Sequence, residues 1–186
     1  MIIASEKRKN NIAEYLLYMW QIEDIIRANG LDIDKIKENV ISRFQLDDAT
    51  LKQMAEWYES LIDMMRREDV VDKGHLQMNR NIIGDLADLN RRVLAEPKFV
   101  DYHKEFYATL PYIVELRAKS GEAKSGEIET CFNALYNILL LRLRHVEISP
   151  ETSRAIDQIA KFVALLSKYY YLDEHDKLFK HDDDAG

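Results

Sequence analysis

The chain has 186 residues, 47% hydrophobic and 32% charged, with only 6 Gly, 3 Pro and one Cys. Such a chain is globular, large enough to bury roughly 70% of its unfolded surface without metal or disulfide staples, and too poor in turn residues for an all-β fold. Its net charge is −7, of which six acids against two lysines from Asp173 onward supply −4; the basic clusters Lys7-Arg8-Lys9, Arg66-Arg67 and Arg91-Arg92 are interleaved with acids, which argues against a nucleic-acid partner.

Apolar residues recur every three or four positions along the chain, the period of an α-helix. The first predicted helix runs from about Ser5 to Ala28 and stops at Asn29-Gly30. Ile12, Tyr15, Leu16, Met19, Trp20, Ile22, Ile25 and Ile26 cover more than one of its faces, as in a helix at the middle of a bundle. A short helix follows over roughly Asp34–Phe44, with Ile36, Val40 and Phe44 four apart. The third starts near Asp47 as N-cap, carries Leu51, Met54, Tyr58, Leu61 and Met65 at 3-4-3-4 spacing, and is expected to break at Asp72-Lys73-Gly74. The fourth carries Ile82, Leu86, Leu89 and Val93 and ends at Glu96-Pro97. The fifth has Phe99, Tyr102, Phe106, Leu110 and Ile113, and Pro111 is expected to kink or divide it.

The stretch from Ser120 to Gly126 reads as the clearest loop. The sixth helix has Ile128, Phe132, Leu135, Leu139 and Leu143. Ser149-Pro150-Glu151 opens the seventh, with a capping hydroxyl, a proline in the first turn and an acid at the positive end of the dipole. Its stripe is Ile156, Ile159, Val163, Leu166 and Tyr170. Sustained period-two alternation is nowhere present. The expectation is an all-α, single-domain antiparallel bundle of six to seven helices over residues 1–172, followed by an acidic polar tail over 173–186.

A lone cysteine, Cys131, permits no internal disulfide and suits a reducing compartment. The charges of Glu6 to Lys9 follow a very short apolar start, the reverse of a signal peptide. The longest uncharged stretch, Thr130 to Leu141, is twelve residues long, short of the ~20 that span a bilayer. The chain is expected in the cytoplasm, with no membrane partner.

Motifs for chemistry are weak. Gly121 to Gly126 has the glycine spacing of a phosphate-binding loop, but Glu127-Ile128 stand where Lys and Ser/Thr are needed. None of His75, His103, His145, His175 and His181 has Glu three residues before it, as di-iron bundles require, and Asp72 to His75 spans a glycine turn. His175 and His181 lie six apart among tail acids, off a common helical face. No G-x-S-x-G elbow exists, and Cys131 lies in the most apolar helix, where a thiol is an inert core residue. Arg142, Arg144 and His145 read as a cationic helix end offsetting the dipole; a ribonuclease pairing of Arg and His is the sharper reading of the same residues. No catalytic residue, cofactor or metal is assigned.

Two polar groupings interrupt apolar helices. Asn133 and Asn137 share a face of the sixth helix, and Glu14, Tyr18 and Gln21 line one side of the first, near Trp20. A structural hydrogen-bond network or an exposed stripe accounts for both groupings; the speculative alternative is a polar ligand pocket between the two helices. The Tyr169-Tyr170-Tyr171 run could likewise mark a partner surface, although tyrosines straddle core and solvent in any small bundle.

The opening Ile2-Ile3-Ala4-Ser5-Glu6-Lys7-Arg8-Lys9 and the segment from Asn11 to Asp24 resemble an uncharacterised family of all-α proteins from gut anaerobic bacteria, domain-of-unknown-function family 4924. The resemblance implies an intracellular bacterial helical protein over nearly the whole chain and brings no reaction, cofactor or site residue. The leading functional reading is a non-enzymatic protein acting through protein–protein or self association. The alternative is a small-ligand-binding protein or enzyme using the polar inter-helical pocket; RNA binding or cleavage ranks third.

Overall fold

A computed structural model describes residues 2–120 and 125–179. Among them are eight α-helices, one short 3-10 turn and no strand. The helices are α1 (Ile2–Asn10), α2 (Ile12–Ala28), α3 (Ile33–Asn39), α4 (Asp48–Arg67), α5 (Gln77–Ala95), α6 (Val100–Ser120), α7 (Glu127–Leu143) and α8 (Pro150–Glu174), with the 3-10 turn at Ile41–Arg43. The all-α expectation holds. One more helix appears than the seven the periodicity outlines, because the first predicted helix is two. Asn11 interrupts it, its side-chain oxygen accepting the Ala13 N–H at 3.1 Å in the manner of an N-cap.

The chain parts into two compact units. One takes Met1–Asn10 and Glu14–Ile82; the other takes Asn11–Ala13 and Ile83–Gly186. In the first unit, Leu16, Met19, Trp20, Ile26, Ile36, Met54, Leu61, Met65 and Leu76 are almost wholly buried. Asp47 caps α4 by accepting the Thr50 N–H at 3.0 Å, as its position predicts. Asp32 caps α3 in the same way, at 2.9 Å to the Asp34 N–H. The second predicted helix stops at Asn39, and the chain tightens into the 3-10 turn instead of running on to Phe44.

The break expected at Asp72-Lys73-Gly74 comes earlier. α4 ends at Arg67, Asp69 takes a left-handed φ of 55°, and the Val70 N–H closes back on the Met65 carbonyl at 3.0 Å. The same closure ends three other helices: Leu31 onto Ile26 at 3.0 Å, Val146 onto Leu141 at 3.0 Å, and Lys177 onto Leu172 at 2.8 Å. Gly30 supplies the left-handed residue at the first, whereas His145 and Asp176 supply it at the others. Asp and His tolerate that region better than most side chains, so these stops lack the glycine by which a sequence announces them.

In the second unit, α6, α7 and α8 pack against one another. The joint between α6 and α8 is aromatic: Tyr102 and Phe106 each meet the Phe162 ring edge-on at 5.6 Å, and Tyr102 lies 5.0 Å from Tyr169. α6 runs through Pro111 as one continuous helix, so of the expected kink or division the division does not occur. Pro111 sits on the exposed side, where the Tyr107 carbonyl that loses its helical donor can be hydrated, while Thr109 and Ile113 beside it are buried. The acidic stretch from Asp173 is described only to Phe179. α8 continues through Asp173 to Glu174, Leu178 beyond it is buried, and Phe179 meets Phe99 edge-on at 5.6 Å. Residues 180–186, with His181 and the acids Asp182 to Asp184, and Gly121 to Lys124 of the expected loop lie outside the described residues.

Candidate functional site

α2 is the most apolar helix of the first unit, yet its seam holds a carboxylate. Leu16, Met19, Trp20, Glu23 and Ile26 follow 3-4 spacing and all are buried, Glu23 with no exposed surface. α5 opens on the same exception: Asn79 begins the stripe continued by Ile82 and is equally buried. A buried carboxylate must be fully bonded or the fold loses several kcal/mol. Here Glu23 Oε1 accepts the Leu76 N–H at 3.0 Å and Asn79 Nδ2 at 2.7 Å, while Oε2 meets His75 Nδ1 at 2.6 Å.

The His75 ring also stacks on Trp20, with centroids 4.0 Å apart and planes 13° from parallel. Where Glu23 is a carboxylate its oxygens can only accept, so His75 Nδ1 is the donor in this contact. One turn along α2, Arg27 bonds Asp24 at 2.8 Å, the Val70 carbonyl at 3.1 Å and the Gly74 carbonyl. Gly74 has φ +85°, a conformation that a side chain would strain, with Val70 Cγ1 3.6 Å from where a Cβ would stand. Glu23 and Arg27 together tie the connection between α4 and α5 to α2.

Of the residues expected to line a ligand pocket, Trp20 alone enters this cluster. Glu14 is exposed and pairs with Lys7 at 2.9 Å. Tyr18 and Gln21 are half-buried, and burial raises the Tyr18 phenol above its ordinary pKa. Asn133 is half-buried and Asn137 exposed on α7, in the second unit. A cleft of about 520 Å³ between α4 and the turn that leads into α3, lined by Leu31, Asp32, Glu59, Ile62, Asp63 and Arg66 among others, includes none of the expected residues. Nor does a smaller one of about 250 Å³ beside Arg8, Tyr15 and Trp57. Glu23 and His75 were hidden from motif reasoning because 52 positions separate them. The available signal was a charge at a seam position of an otherwise apolar helix.

The second unit has the opposite feature. Val100, Tyr107 and Val114 on α6 are 68%, 61% and 57% exposed. They stand seven residues apart, so they fall on one line along the helix. Pro111 and Ala118 are exposed between and beyond them. The opposite face, with Tyr102, Phe106, Thr109 and Ile113, is the one that is buried. α6 is therefore apolar on two sides, and one faces solvent.

Cys131 is fully buried, and burial pushes its thiol up to about 12. Among the described residues no group of three or more His, Cys, Asp or Glu could hold a metal ion, and no helix is long and apolar enough to cross a membrane.

A family model described as "Domain of unknown function (DUF4924)" matches residues 1–177. No curated protein and no solved structure matches the chain.

Proposed function

The chain belongs to the DUF4924 family, whose description names no activity, and from the geometry we propose that it is a non-enzymatic intracellular protein that acts by binding another protein helix through the outer face of α6. One observation carries this reading: three large apolar side chains, each more than half exposed, recur at heptad intervals along a helix of 21 residues. Scattered apolar residues on a surface are ordinary. A line of them at the spacing of a helix–helix seam is what a partner helix requires. The buried face of α6 holds the helix rigid through the Phe162 and Tyr169 contacts, so the outer face is presented without an ordering cost.

A photo-reactive amino acid at position 107 tests this. Irradiation in cells should give adducts in which peptide sequencing places a protein partner on residue 107, and Val114→Glu should abolish them. The same probe at exposed Arg154 on α8 should give none. Failure to find an adduct at 107, or equal adducts at 107 and 154, would overturn the reading.

A second reading has one observation behind it. The Glu23–His75 pair is the arrangement by which a carboxylate orients an imidazole for acid–base chemistry, and the His75 side chain is 29% exposed. It predicts a metabolite that raises the melting temperature of the protein but not of His75→Asn. A flat thermal-shift screen would remove it.

A further inference from the structure

We infer that the partner of the α6 face is α6 of a second copy of this chain, laid antiparallel about a two-fold axis that crosses the helix at the level of residues 109 and 110. This rests on the reading of the α6 face proposed above and names its occupant.

Charges beside the apolar line select the partner and its direction. At 3.6 residues per turn, Asp101, Lys104, Glu115 and Lys119 all fall on one flank of the Val100–Tyr107–Val114 line. All four are exposed. His103, Leu110 and Arg117 fall on the other flank. When two helices pair antiparallel, like flanks meet; when they pair parallel, unlike flanks meet. Reversed upon itself about residues 109 and 110, the charged flank places Lys104 opposite the second copy's Glu115, and Asp101 opposite its Lys119. Every opposition is then between unlike charges, and symmetry repeats each one. A parallel pairing would set this flank against His103, Leu110 and Arg117, which carry no carboxylate to answer Lys104 or Lys119.

Size and shape agree with a second copy. Ala108, Pro111 and Ala118 are small and exposed, which lets two backbones approach closely around the bulkier Tyr107. Twenty-one residues make a helix about 31 Å long. One such face is smaller than the ~800 Å² per partner of a standard interface, so the dimer is expected to be weak and concentration-dependent.

The experiment uses the full chain in three forms: unaltered, Lys104→Cys and Glu115→Cys. Both substituted positions are exposed, and the native Cys131 is fully buried and does not compete. Sedimentation should show a monomer–dimer equilibrium in the unaltered protein. Under mild oxidation by dissolved oxygen, a mixture of the two cysteine variants should form a disulfide-linked dimer joining position 104 to position 115. Each variant alone should form little. Within one chain the two positions are eleven residues apart, about 16 Å along the helix, too far for a disulfide, so the product reports only contact between copies.

Glu115→Lys should weaken the dimer about tenfold, since it sets like charges against each other at two symmetric places. Adding Lys104→Glu to it should restore the dimer. Faster coupling of position 104 with itself than with 115 would overturn the antiparallel register. A monomer at every concentration, together with photo-adducts to a different protein at residue 107, would overturn the second copy and leave the proposed function standing. A monomer with no adducts would end both.

Discussion

The two units depart from the usual distribution of residues in opposite directions. The first hides a carboxylate in its core, Glu23, beside Asn79, both fully buried, whereas the polar side chains buried in the second, Asn90, Thr109, Thr130 and Ser167, are uncharged. The second displays apolar groups in solvent along α6. A buried polar group is expensive until bonded; Glu23 is bonded at both oxygens and Asn79 donates to it, so the carboxylate is satisfied within the unit, while Asn79 Oδ1 has no partner among the described residues. An exposed apolar line has no way to satisfy itself within one molecule. The first departure therefore reads as structure and the second as function.

The contrast can be broken by substitution. The largest effect belongs to Glu23→Ala, which strands the His75, Leu76 and Asn79 donors in a buried site. It should cost about 3–5 kcal/mol in urea unfolding and leave the association of folded molecules unchanged. A loss below about 1 kcal/mol would mean that Glu23 is not the anchor of the first unit. Next, Tyr102→Phe removes the hydroxyl that donates to the buried Asn90 at 2.7 Å and should cost about 1–2 kcal/mol.

Glu105 sharpens the comparison at low pH. Hydrogen bonds from Lys161 at 2.7 Å and Gln158 at 3.1 Å hold its carboxyl below the ordinary range. Its contribution to stability is thus complete above the ordinary glutamate pKa and is lost as pH falls through the depressed folded value. Because Lys161 is largely exposed, Glu105→Gln should cost under about 1 kcal/mol at neutral pH and nothing in strong acid, as read from urea midpoints across pH.

Tyr107→Glu should change stability by no more than about 0.5 kcal/mol while removing association in sedimentation, which is the behaviour of a contact surface and not of a core. Last, Cys131 should react with a thiol reagent at pH 8 only as fast as the chain unfolds; reaction at the rate of a free thiol would contradict its burial.

Much of this was legible in the residues themselves. The seams Met54, Tyr58, Leu61, Met65 and Leu86, Leu89, Val93 are buried as their spacing predicts, and Asp47 and Ser149 cap the helices they precede. The stops at Asp69, His145 and Asp176 were less legible, because left-handed residues other than glycine leave little trace in composition. Tyr107 and Val114 were invisible for a further reason. The stripe of Tyr102, Phe106 and Ile113 marks the buried face of α6 as its spacing predicts, but periodicity cannot say whether a second apolar side is covered as well.

The sequence by itself determined that the chain is helical and where most helices begin, because helix periodicity and N-capping are local, fixed by residues three or four apart. Tertiary structure alone decided that Glu23 would meet His75 across 52 positions, and that Val100, Tyr107 and Val114, off the buried stripe of α6, would be left in water. Those outcomes depend on which faces distant segments cover, and burial is a property of the folded whole, not of any one stretch of chain.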